Sequence, residues 1–490
     1  MLTAPQQFPE VAGQFGQRYR VLGPLGAGGM GVVYRALDRL TGETVALKQV
    51  LTHPEGEALT AMTGADLRLS LAREFQSLAS LRHPNIIDVR DYGFDTQRQP
   101  YFTMELLPDA QTILGAATGR TDGEKVDLLV QMLRALAYLH RHGIIHRDLK
   151  PPNVLVSQGR VKLLDFGLSL IIGEGGHPSG SLAYLSPEVL EQAPAGEAAD
   201  LYAVGVIGYE LFTGTHPFET GNLSRLIDAI LDEMPDFTQP SIPPALAPVL
   251  ERLMAKEPAQ RYASAEETIH ALSQAMGLAL AQETKETRES FLQAAQFVGR
   301  EAELAQLNGA LEATLAGQGS SWLVGGESGV GKTRLLNEVR TQALVQGALV
   351  LRGQTASNGG SPYQLWRDIA RWLVMLTEPD DLEAGVIQML VPDLAVLLER
   401  EVAPPPTLEP EAAQTRLHSV LVRLVQRCLA QQPIVMILED LQWAEANSLI
   451  LLQRFNRLVL SQTQSPLLII GSYSADHKRP EQLTDLPGMQ

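Results

Sequence analysis

Cysteine is nearly absent from this chain of 490 residues, in which Cys428 is the only one. A single thiol excludes an internal disulfide and a zinc site built from several thiolates, and it fits a reducing compartment. No uncharged apolar run approaches the roughly 18 residues that a membrane-spanning helix needs. The opening residues, MLTAPQQFPE, lack both the basic start and the apolar run of a secretory signal. These absences predict a cytoplasmic protein without a membrane partner.

Positive charge is also scarce, with 39 Lys and Arg against 56 Asp and Glu and a formal net charge of −17. Phosphate backbones are bound by basic surfaces, so we expect no nucleic-acid partner. Residues 108–276 hold 12 basic and 21 acidic residues. This surplus is either an ordinary solvated surface or one that prefers basic protein segments. The length suggests about three compact units, and the apolar content of 45% allows each an ordinary core.

The pattern of apolar residues changes along the chain. Residues 19–50 alternate apolar and polar positions around a glycine cluster, which predicts strands joined by tight turns. From about Asp122 to Gly277 the period is helical, and Thr121 and Glu124 have the spacing of a capping box. This change predicts a sheet followed by a helical unit.

A polar segment without glycine or proline, residues 282–296, predicts a connector. Beyond it strands and helices alternate, which predicts a parallel sheet covered by helices. Within this last unit we expect residues 377–383 and 402–411 to form exposed loops.

The glycine cluster has the spacing Gly26-x-Gly28-x-x-Gly31-x-Val33. A dinucleotide-binding loop would lead into a helix, but here the next residues have a strand pattern. We therefore expect a hairpin whose missing side chains let backbone N–H groups approach phosphates. The following strand ends in Lys48.

A second motif, HRDLKPPN, runs from His146 to Asn153, and Asp165 opens the sequence DFG. Together with the glycine loop and Lys48, these motifs stand in the order of the Hanks-type serine/threonine protein kinases, and the chain most resembles their bacterial branch. Further residues match that family at Glu74, Ser186-Pro187-Glu188, Asp200 and Arg261. The resemblance covers about residues 19–276.

The resemblance implies an α+β bilobal protein kinase fold, with lobes at about 19–107 and 108–276 after an N-terminal extension, residues 1–18. It implies transfer of the ATP γ-phosphate to Ser or Thr of protein substrates, with Mg²⁺ as the metal ion. In the family's pattern Asp148 takes the hydroxyl proton and Lys150 neutralises the phosphoryl group. Asn153 and Asp165 ligate magnesium.

The ATP-binding positions that the resemblance implies are Leu25, Gly26, Gly28, Gly31, Val33, Ala46, Lys48, Glu74, Met104, Glu105 and Leu107. Lys48 would hold the α- and β-phosphates with Glu74 as its partner. Met104 corresponds to the gatekeeper, and Glu105 to Leu107 correspond to the hinge beside adenine. Ordinary strand packing also accounts for Met104. A pseudokinase, which binds ATP without transfer, is the alternative reading of the whole set.

One departure from the family concerns regulation. Between Asp165 and Glu188 the activation segment contains serines but no threonine. Ser181 takes the place where the family has a threonine that contacts the catalytic loop. We therefore expect activity to depend only weakly on phosphorylation of this segment.

A P-loop motif lies in the C-terminal part, where Gly326, Gly331, Lys332 and Thr333 follow a strand and precede a helix. Backbone N–H groups there would cradle phosphates, Lys332 would reach the β- and γ-oxygens, and Thr333 would ligate Mg²⁺. Later, a buried strand ends at Glu439 and Asp440, whose carboxylates we expect at the magnesium ion and the attacking water. Two helix-capping acids are the alternative.

These motifs and the segment FVGREAEL (297–304) together resemble the signalling NTPases of the AAA/STAND type. The resemblance implies an α/β P-loop NTPase domain over residues 297–490, with Arg300 near the adenine. It also allows the chain to form oligomers through this domain. Ser474 stands where the family commonly has arginine, so we expect slow hydrolysis. The family's helical lid should follow, so we expect the chain to be part of a longer protein.

We interpret the chain as a kinase joined by a linker, residues 277–296, to a nucleotide-binding regulatory module. Two alternatives remain open. In one, the NTPase is the switch and the kinase its low-activity output. In the other, the protein is a scaffold that binds two nucleotides without turnover.

Overall fold

The computed structural model describes residues 15, 18–28, 31–50, 81, 83–95, 99–164, 182–277, 299–355, 362–461 and 465–476. Glu74, Asp165 and the connector 282–296 lie outside this part, as does the activation segment up to residue 181. The described residues form a first unit that ends at Gly277 and a second unit that starts at Gly299. Among them, no helix is long and apolar enough to cross a lipid bilayer.

The first unit begins with an antiparallel sheet, here called the small lobe. Within the described residues its strands lie in the order β1-β2-β3-β5-β4. Their bounds are β1 Tyr19–Gly28, β2 Gly31–Asp38, β3 Thr44–Val50, β4 Val89–Phe94 and β5 Pro100–Glu105. Because side chains alternate along a strand, Val45 and Leu47 pack on one face while Ala46 packs on the other with Met104. The strands predicted around the glycines are confirmed.

The large lobe follows and is mainly helical. Its helices are α1 Ile113–Ala117, α2 Asp122–Arg141, α3 Pro187–Leu190, α4 Glu197–Thr213, α5 Leu223–Asp232, α6 Ala247–Leu253 and α7 Ala265–Ala275. Three short strands, β6 Gln111–Thr112, β7 Val154–Ser157 and β8 Arg160–Leu163, form a small sheet beside them. Thr121 and Glu124 form the predicted capping box at the start of α2. The helix then buries Leu128, Met132 and Leu136 in the core of the unit.

The second unit is built on a parallel sheet, as predicted. Its strands are β9 Gln318–Gly326, β10 Leu349–Gln354, β11 Ile434–Glu439 and β12 Ser465–Ser474. In the described residues they lie in the order β10-β11-β12-β9, and each neighbouring pair is parallel. The P-loop therefore leaves the edge strand β9, two strands away from β11 with its two acids.

Helices cover both faces of this sheet, because its central strands β11 and β12 are apolar on both sides. On one face lie α8 Glu301–Leu315 and α9 Lys332–Val345. The opposite face packs against the remaining helices, which are α10 Gln364–Thr377, α11 Asp381–Gln388, α12 Leu394–Leu398, α13 Pro410–Leu429 and α14 Ala446–Ser461.

One loop prediction in this unit is wrong. Residues 377–383 do not form an exposed loop throughout, because α11 begins at Asp381. Asp380 and Glu383 form a capping box, and the buried Glu383 pairs with Arg423 and Arg427 of α13. The carboxylates that suggested a solvated loop thus start a helix and anchor it to its neighbour.

Candidate functional site

The described glycines of the glycine cluster lie at the facing ends of the antiparallel strands β1 and β2. Gly28 lies opposite Gly31, and Gly26 lies opposite Val33. At Gly31 the backbone has φ +143°, and a Cβ atom there would lie 1.9 Å from the carbonyl oxygen of Gln49. Only glycine fits this position. The close approach of Gly31 to the neighbouring strand β3 therefore explains why a glycine stands here.

Lys48 lies in the middle of the sheet, opposite Val33 on β2 and Phe102 on β5. Its side chain is buried, with the Nζ atom 5.9 Å from the centre of the Phe102 ring. Ala46, two residues earlier, lies opposite Met104. The structure therefore brings one buried ammonium group and an apolar pair together behind the glycine hairpin, while Glu74 lies outside the described residues.

At the predicted hinge, Glu105 is held by polar contacts that the sequence did not indicate. Its carboxylate accepts a hydrogen bond from the N–H of Asp88 at 3.0 Å and pairs with Lys162 of β8. Its own N–H donates to the carbonyl oxygen of Asp88 at 2.9 Å. The Glu105 side chain thus ties β5 to the large lobe, and Leu107 packs against the shared core.

The residues of the HRDLKPPN motif form one polar cluster. The Asp148 carboxylate accepts hydrogen bonds from Lys150 Nζ at 2.9 Å and from Asn153 Nδ2 at 2.8 Å. Asn153 Nδ2 also donates to the backbone oxygen of Asp148 at 2.8 Å. With its amide nitrogen engaged in this way, Asn153 has the oxygen Oδ1 to offer a magnesium ion. These contacts hold a carboxylate and an ammonium group side by side.

Asp200 at the start of α4 fixes the backbone of this cluster. Its carboxylate accepts hydrogen bonds from the N–H groups of His146 and Arg147, each at 2.9 Å, and lies 2.8 Å from His140 Nε2. Arg147 adopts a left-handed backbone with φ +67°. Because a non-glycine residue rarely takes this conformation, the buried carboxylate determines the turn that places Asp148.

Asp165 itself lies outside the described residues, but the chain leading to it is placed. Leu164 donates its N–H to the carbonyl oxygen of Asn153 at 2.9 Å. The strand that precedes the DFG sequence therefore ends beside the predicted magnesium ligand. Among the described residues, no group of three or more His, Cys, Asp or Glu side chains is arranged to hold a metal ion.

The P-loop has the geometry of a phosphate cradle. Gly331 has φ +93° and immediately precedes α9, which begins at Lys332. Lys332 Nζ donates to the carbonyl oxygens of Gly326 at 2.8 Å and Glu327 at 2.7 Å. Thr333 lies exposed in the first turn of the helix. The lysine thus folds back over a loop that leads directly into the N-terminus of a helix, where an anion is favoured.

The two predicted acids lie at the end of β11, and their surroundings differ. One is buried, and the other is half-buried among polar side chains. Glu439 is buried and pairs with Arg352 of β10. Asp440, at φ +62°, accepts hydrogen bonds from Gln354 at 3.1 Å and Gln442 at 3.2 Å. Arg352 was not among the predicted site residues, because only the adjacency of β10 and β11 brings it to Glu439.

Of the two remaining predicted positions, the structure connects Ser474 to the P-loop and pairs Arg300 with the helix that follows it. The Ser474 hydroxyl donates to Asp476 at 3.1 Å, and Asp476 also accepts the P-loop N–H of Ser328 at 2.7 Å. Arg300 precedes α8 and pairs with Glu303 at 2.7 Å. The end of β12 is thereby attached directly to the P-loop.

Comparison with known proteins identifies the families of the two domains that carry these sites. Residues 19–272 match the protein kinase domain family, and residues 296–470 match the AAA ATPase domain family. The first match alone covers more than half of the chain. The chain belongs to the protein kinase family. Its first unit is the kinase domain and its second the AAA ATPase domain, which confirms both resemblances and the predicted fold class.

Similar curated proteins include bacterial serine/threonine kinases. The probable serine/threonine-protein kinase PknB of Lactococcus lactis is 34% identical over 266 residues, which cover 52% of this chain and 41% of that protein. Pkn3 of Myxococcus xanthus is 36% identical, with coverages of 51% and 48%. PknA of Mycobacterium tuberculosis is 32% identical, with coverages of 52% and 61%. The kinase chain thus spans about half the length of the relatives it matches.

Proposed function

We propose that this protein transfers the γ-phosphoryl group of ATP to serine or threonine residues of proteins. The observation that carries the proposal is the Asp148 carboxylate, held between Lys150 Nζ at 2.9 Å and Asn153 Nδ2 at 2.8 Å. A hydroxyl acceptor needs a positioned carboxylate, and the phosphoryl group in transfer needs a nearby positive charge. Both stand side by side in this loop.

In the proposed reaction the substrate hydroxyl oxygen forms a bond to the γ-phosphorus as the bond to the β,γ-bridging oxygen breaks. The hydroxyl proton passes to Asp148, and ADP leaves with the bridging oxygen. Lys150 stabilises the negative charge of the phosphoryl group during transfer. Asn153 and Asp165 would hold Mg²⁺, which when bound neutralises charge on the phosphate oxygens. Little covalent chemistry is required of the protein.

The ATP itself would lie between the glycine hairpin and the large lobe. Lys48, buried behind Val33, would contact the α- and β-phosphates with Glu74 as its ion-pair partner. Ala46 and Met104 would bound the adenine pocket. Since the Glu105 side chain and N–H are already engaged, the hinge would contact adenine through other backbone atoms near Leu107.

The second nucleotide site is proposed at the P-loop. Gly331, Lys332 and Thr333 would bind the phosphates, and Glu439 and Asp440 would face the magnesium ion and the water. Glu439 is engaged by Arg352, so we expect hydrolysis to be slow until that pair opens. The proposed boundaries are 19–276 for the kinase, 277–296 for the linker and 297–490 for the NTPase. A preference for basic substrate segments, and oligomerisation through the NTPase, belong to the same proposal.

The experiment that tests the transfer step replaces Asp148 by Asn. Transfer of labelled phosphate to a generic basic protein should fall by about 100-fold or more, because the base is lost. Binding of an ATP analogue to the kinase site, measured in a Lys332→Ala background that empties the P-loop, should be unchanged. Asp127→Asn, the same change on an exposed face of α2, is the control. Undiminished transfer by the Asp148 variant would refute the proposal.

A further inference from the structure

A cluster of charged residues joins the kinase small lobe to the NTPase domain, and we call it the Asp91 cluster. It consists of Arg18, which directly precedes the kinase domain, Asp38 and Asp91 of the small lobe, and Arg340 and Trp372 of the NTPase. Arg18 donates to both carboxylate oxygens of Asp38, at 2.9 and 2.8 Å, and also pairs with Asp91. From the other domain, Arg340 lies 3.7 Å from Asp91, and the Trp372 ring centre lies 4.6 Å from Arg18 Cζ.

Burial makes this cluster more than a surface contact. Asp91 is 8% exposed, and Asp38 is 4% exposed. Burial acts to raise the pKa of Asp91, but Arg18 and Arg340 outweigh it, so its pKa lies below the usual range. Charge pairs shielded from solvent interact more strongly than exposed pairs, and removing one partner leaves the other uncompensated.

Contacts at the edge of the cluster extend the interface. Arg20 lies 3.0 Å from Glu399, and Arg39 donates to the carbonyl oxygen of Leu397 at 2.6 Å. Leu40, in the turn after β2, packs against the hydrophobic core of the NTPase. The NTPase of the same chain therefore packs against part of the outer surface of the small lobe.

Helix α9 connects this interface to the P-loop. It begins at Lys332 and carries Arg340 eight residues later, about 12 Å along the axis. Leu344, one turn further on the same face, packs against the kinase core. One continuous helix thus has the phosphate-binding lysine at one end and kinase contacts at the other.

A second connection reaches the same arginine from the hydrolytic end of the site. Burial lowers the pKa of Arg340, Asp91 acts to raise it, and the charge of Arg352, the partner of Glu439, acts to lower it. A change in the Glu439–Arg352 pair would therefore be felt at Arg340. Both the phosphate cradle and the catalytic acid lie within reach of the interface.

On the kinase side, Asp91 is connected through the sheet to strands that carry predicted ATP-binding residues. In the sheet it lies opposite Thr103, the residue before Met104. The Tyr19 hydroxyl lies 3.5 Å from the Asp91 carboxylate, and Tyr19 begins the strand that ends in the glycine turn. A shift of Asp91 would act on the two strands that bound the adenine and the phosphates.

We propose that the outer face of the small lobe is a docking surface for the NTPase, through which α9 transmits nucleotide occupancy of the P-loop to the kinase ATP site. Phosphates at the P-loop would draw Lys332 from the carbonyl oxygens of Gly326 and Glu327, and the resulting displacement of α9 would reach Asp91 through Arg340. The effect on catalysis rests on the proposed kinase function, whereas the transmission between sites can be measured without it.

The test uses the full chain with Lys48→Ala, which weakens nucleotide binding at the kinase site, and compares it with the same chain carrying Lys332→Ala as well, so that the effect of ADP at the P-loop is isolated. Hydrogen–deuterium exchange is followed in β1 and β4, and ADP should change its rate on the order of fivefold. Arg340→Gln in the same background should abolish the change, and so should Asp91→Asn. Arg225→Gln, which breaks an exposed ion pair with Glu219, is the control.

No exchange difference on adding ADP, or an equal difference with Arg340→Gln, would overturn the proposal. A difference that disappears on dilution would place the contact on a second copy of the chain and overturn the intramolecular form. In parallel, phosphoryl transfer is measured with Lys48 intact. Lys332→Ala should change the KM for ATP in the chain that has Arg340. The same substitution should leave the KM unchanged in the Arg340→Gln chain. Absence of transfer there would refute the kinase function, while the exchange result still decides the coupling.

Discussion

Arg261 shows at the scale of one residue how the kinase domain uses buried charge. Its guanidinium donates to both carboxylate oxygens of Glu188 at 2.7 Å. The same group donates to three backbone carbonyl oxygens, those of Ala198, Ala255 and Lys256. The planar guanidinium has five N–H donors and can make all of these hydrogen bonds, whereas the ammonium group of a lysine has too few donors.

Arg261→Lys should therefore lower the free energy of unfolding of the kinase domain by about 3 kcal/mol, because part of a buried ionic network is left unpaired. Urea denaturation measures the change. Arg141→Lys is the matched control, since the Arg141–Glu266 pair is exposed and should contribute less than about 1 kcal/mol. Equal losses for the two variants would contradict this account of Arg261.

His83 adds a pH dependence at the same scale. Burial, together with the charges of Lys162 and Arg134, lowers its pKa to about 3. Its Nδ1 atom accepts the N–H of Asn85 at 3.1 Å, which requires this nitrogen to be unprotonated. The unfolded chain takes up a proton below a pH of about 6.5, while the folded chain does not do so until about 3.

Stability should therefore fall as the pH drops below 6.5, by about 1.4 kcal/mol per pH unit from His83. His418 of the NTPase, whose pKa burial lowers to about 4, acts in the same direction. Urea denaturation of His83→Gln at a series of pH values should give a shallower decline than wild type. His270→Gln, at an exposed position, is the control; a slope unaffected by the His83 change would refute the assignment.

At the scale of elements, the packing of α4 against α6 depends on two glycines. A Cβ atom at Gly205 would lie 2.7 Å from Met254 Cγ and 2.9 Å from Leu253 Cβ. At Gly208 it would lie 2.8 Å from Leu250 Cδ2. The two helices can approach this closely because Gly205 and Gly208 have no side chain at the points of contact.

Gly205→Ala should destabilise the kinase domain by about 1–3 kcal/mol through overpacking. Gly309→Ala makes the same change in the middle of α8, at an exposed position with no atom within 4 Å. There the substitution should stabilise by up to about 1 kcal/mol, because alanine favours the helix. Thermal unfolding distinguishes the two signs; a stabilising effect at Gly205 would contradict the packing argument.

The elements also show where sequence reasoning succeeds. The Thr121–Glu124 capping box precedes a clear apolar period, so both the start of α2 and its buried face could be predicted. The central strands of the NTPase sheet, β11 and β12, are apolar on both faces, which is typical of a parallel sheet. Asp380 and Glu383 have the same capping spacing but stand among acids after a proline, and the charge of that segment concealed a helix.

At the scale of the whole molecule, contacts within one motif could be predicted from the sequence, whereas contacts between distant segments could not. Asp148, Lys150 and Asn153 lie within six residues, so their association follows from one motif. The Asp91 cluster joins residues from the start of the chain, the small lobe and α9, and no local pattern links them. Arg352 likewise meets Glu439 only through strand order. Contacts made by tertiary structure alone were the part that sequence could not provide.

The docked arrangement would make the two proposed nucleotide sites parts of one assembly. The kinase ATP site and the P-loop are joined through β4, the Asp91 cluster and α9. This arrangement can regulate transfer only if transfer occurs at the kinase site and depends on Asp148. The source of the transferred phosphate and its acceptor residue are therefore the central claim.

Phosphoamino-acid analysis tests that claim most directly, with labelled ATP and a Lys332→Ala chain in which only the kinase site can bind ATP. The account predicts label in phosphoserine and phosphothreonine of the substrate, and its loss by about 100-fold or more when Asp148→Asn is added. Label that persists in the Asp148 variant, or that is found in phosphotyrosine, would contradict it.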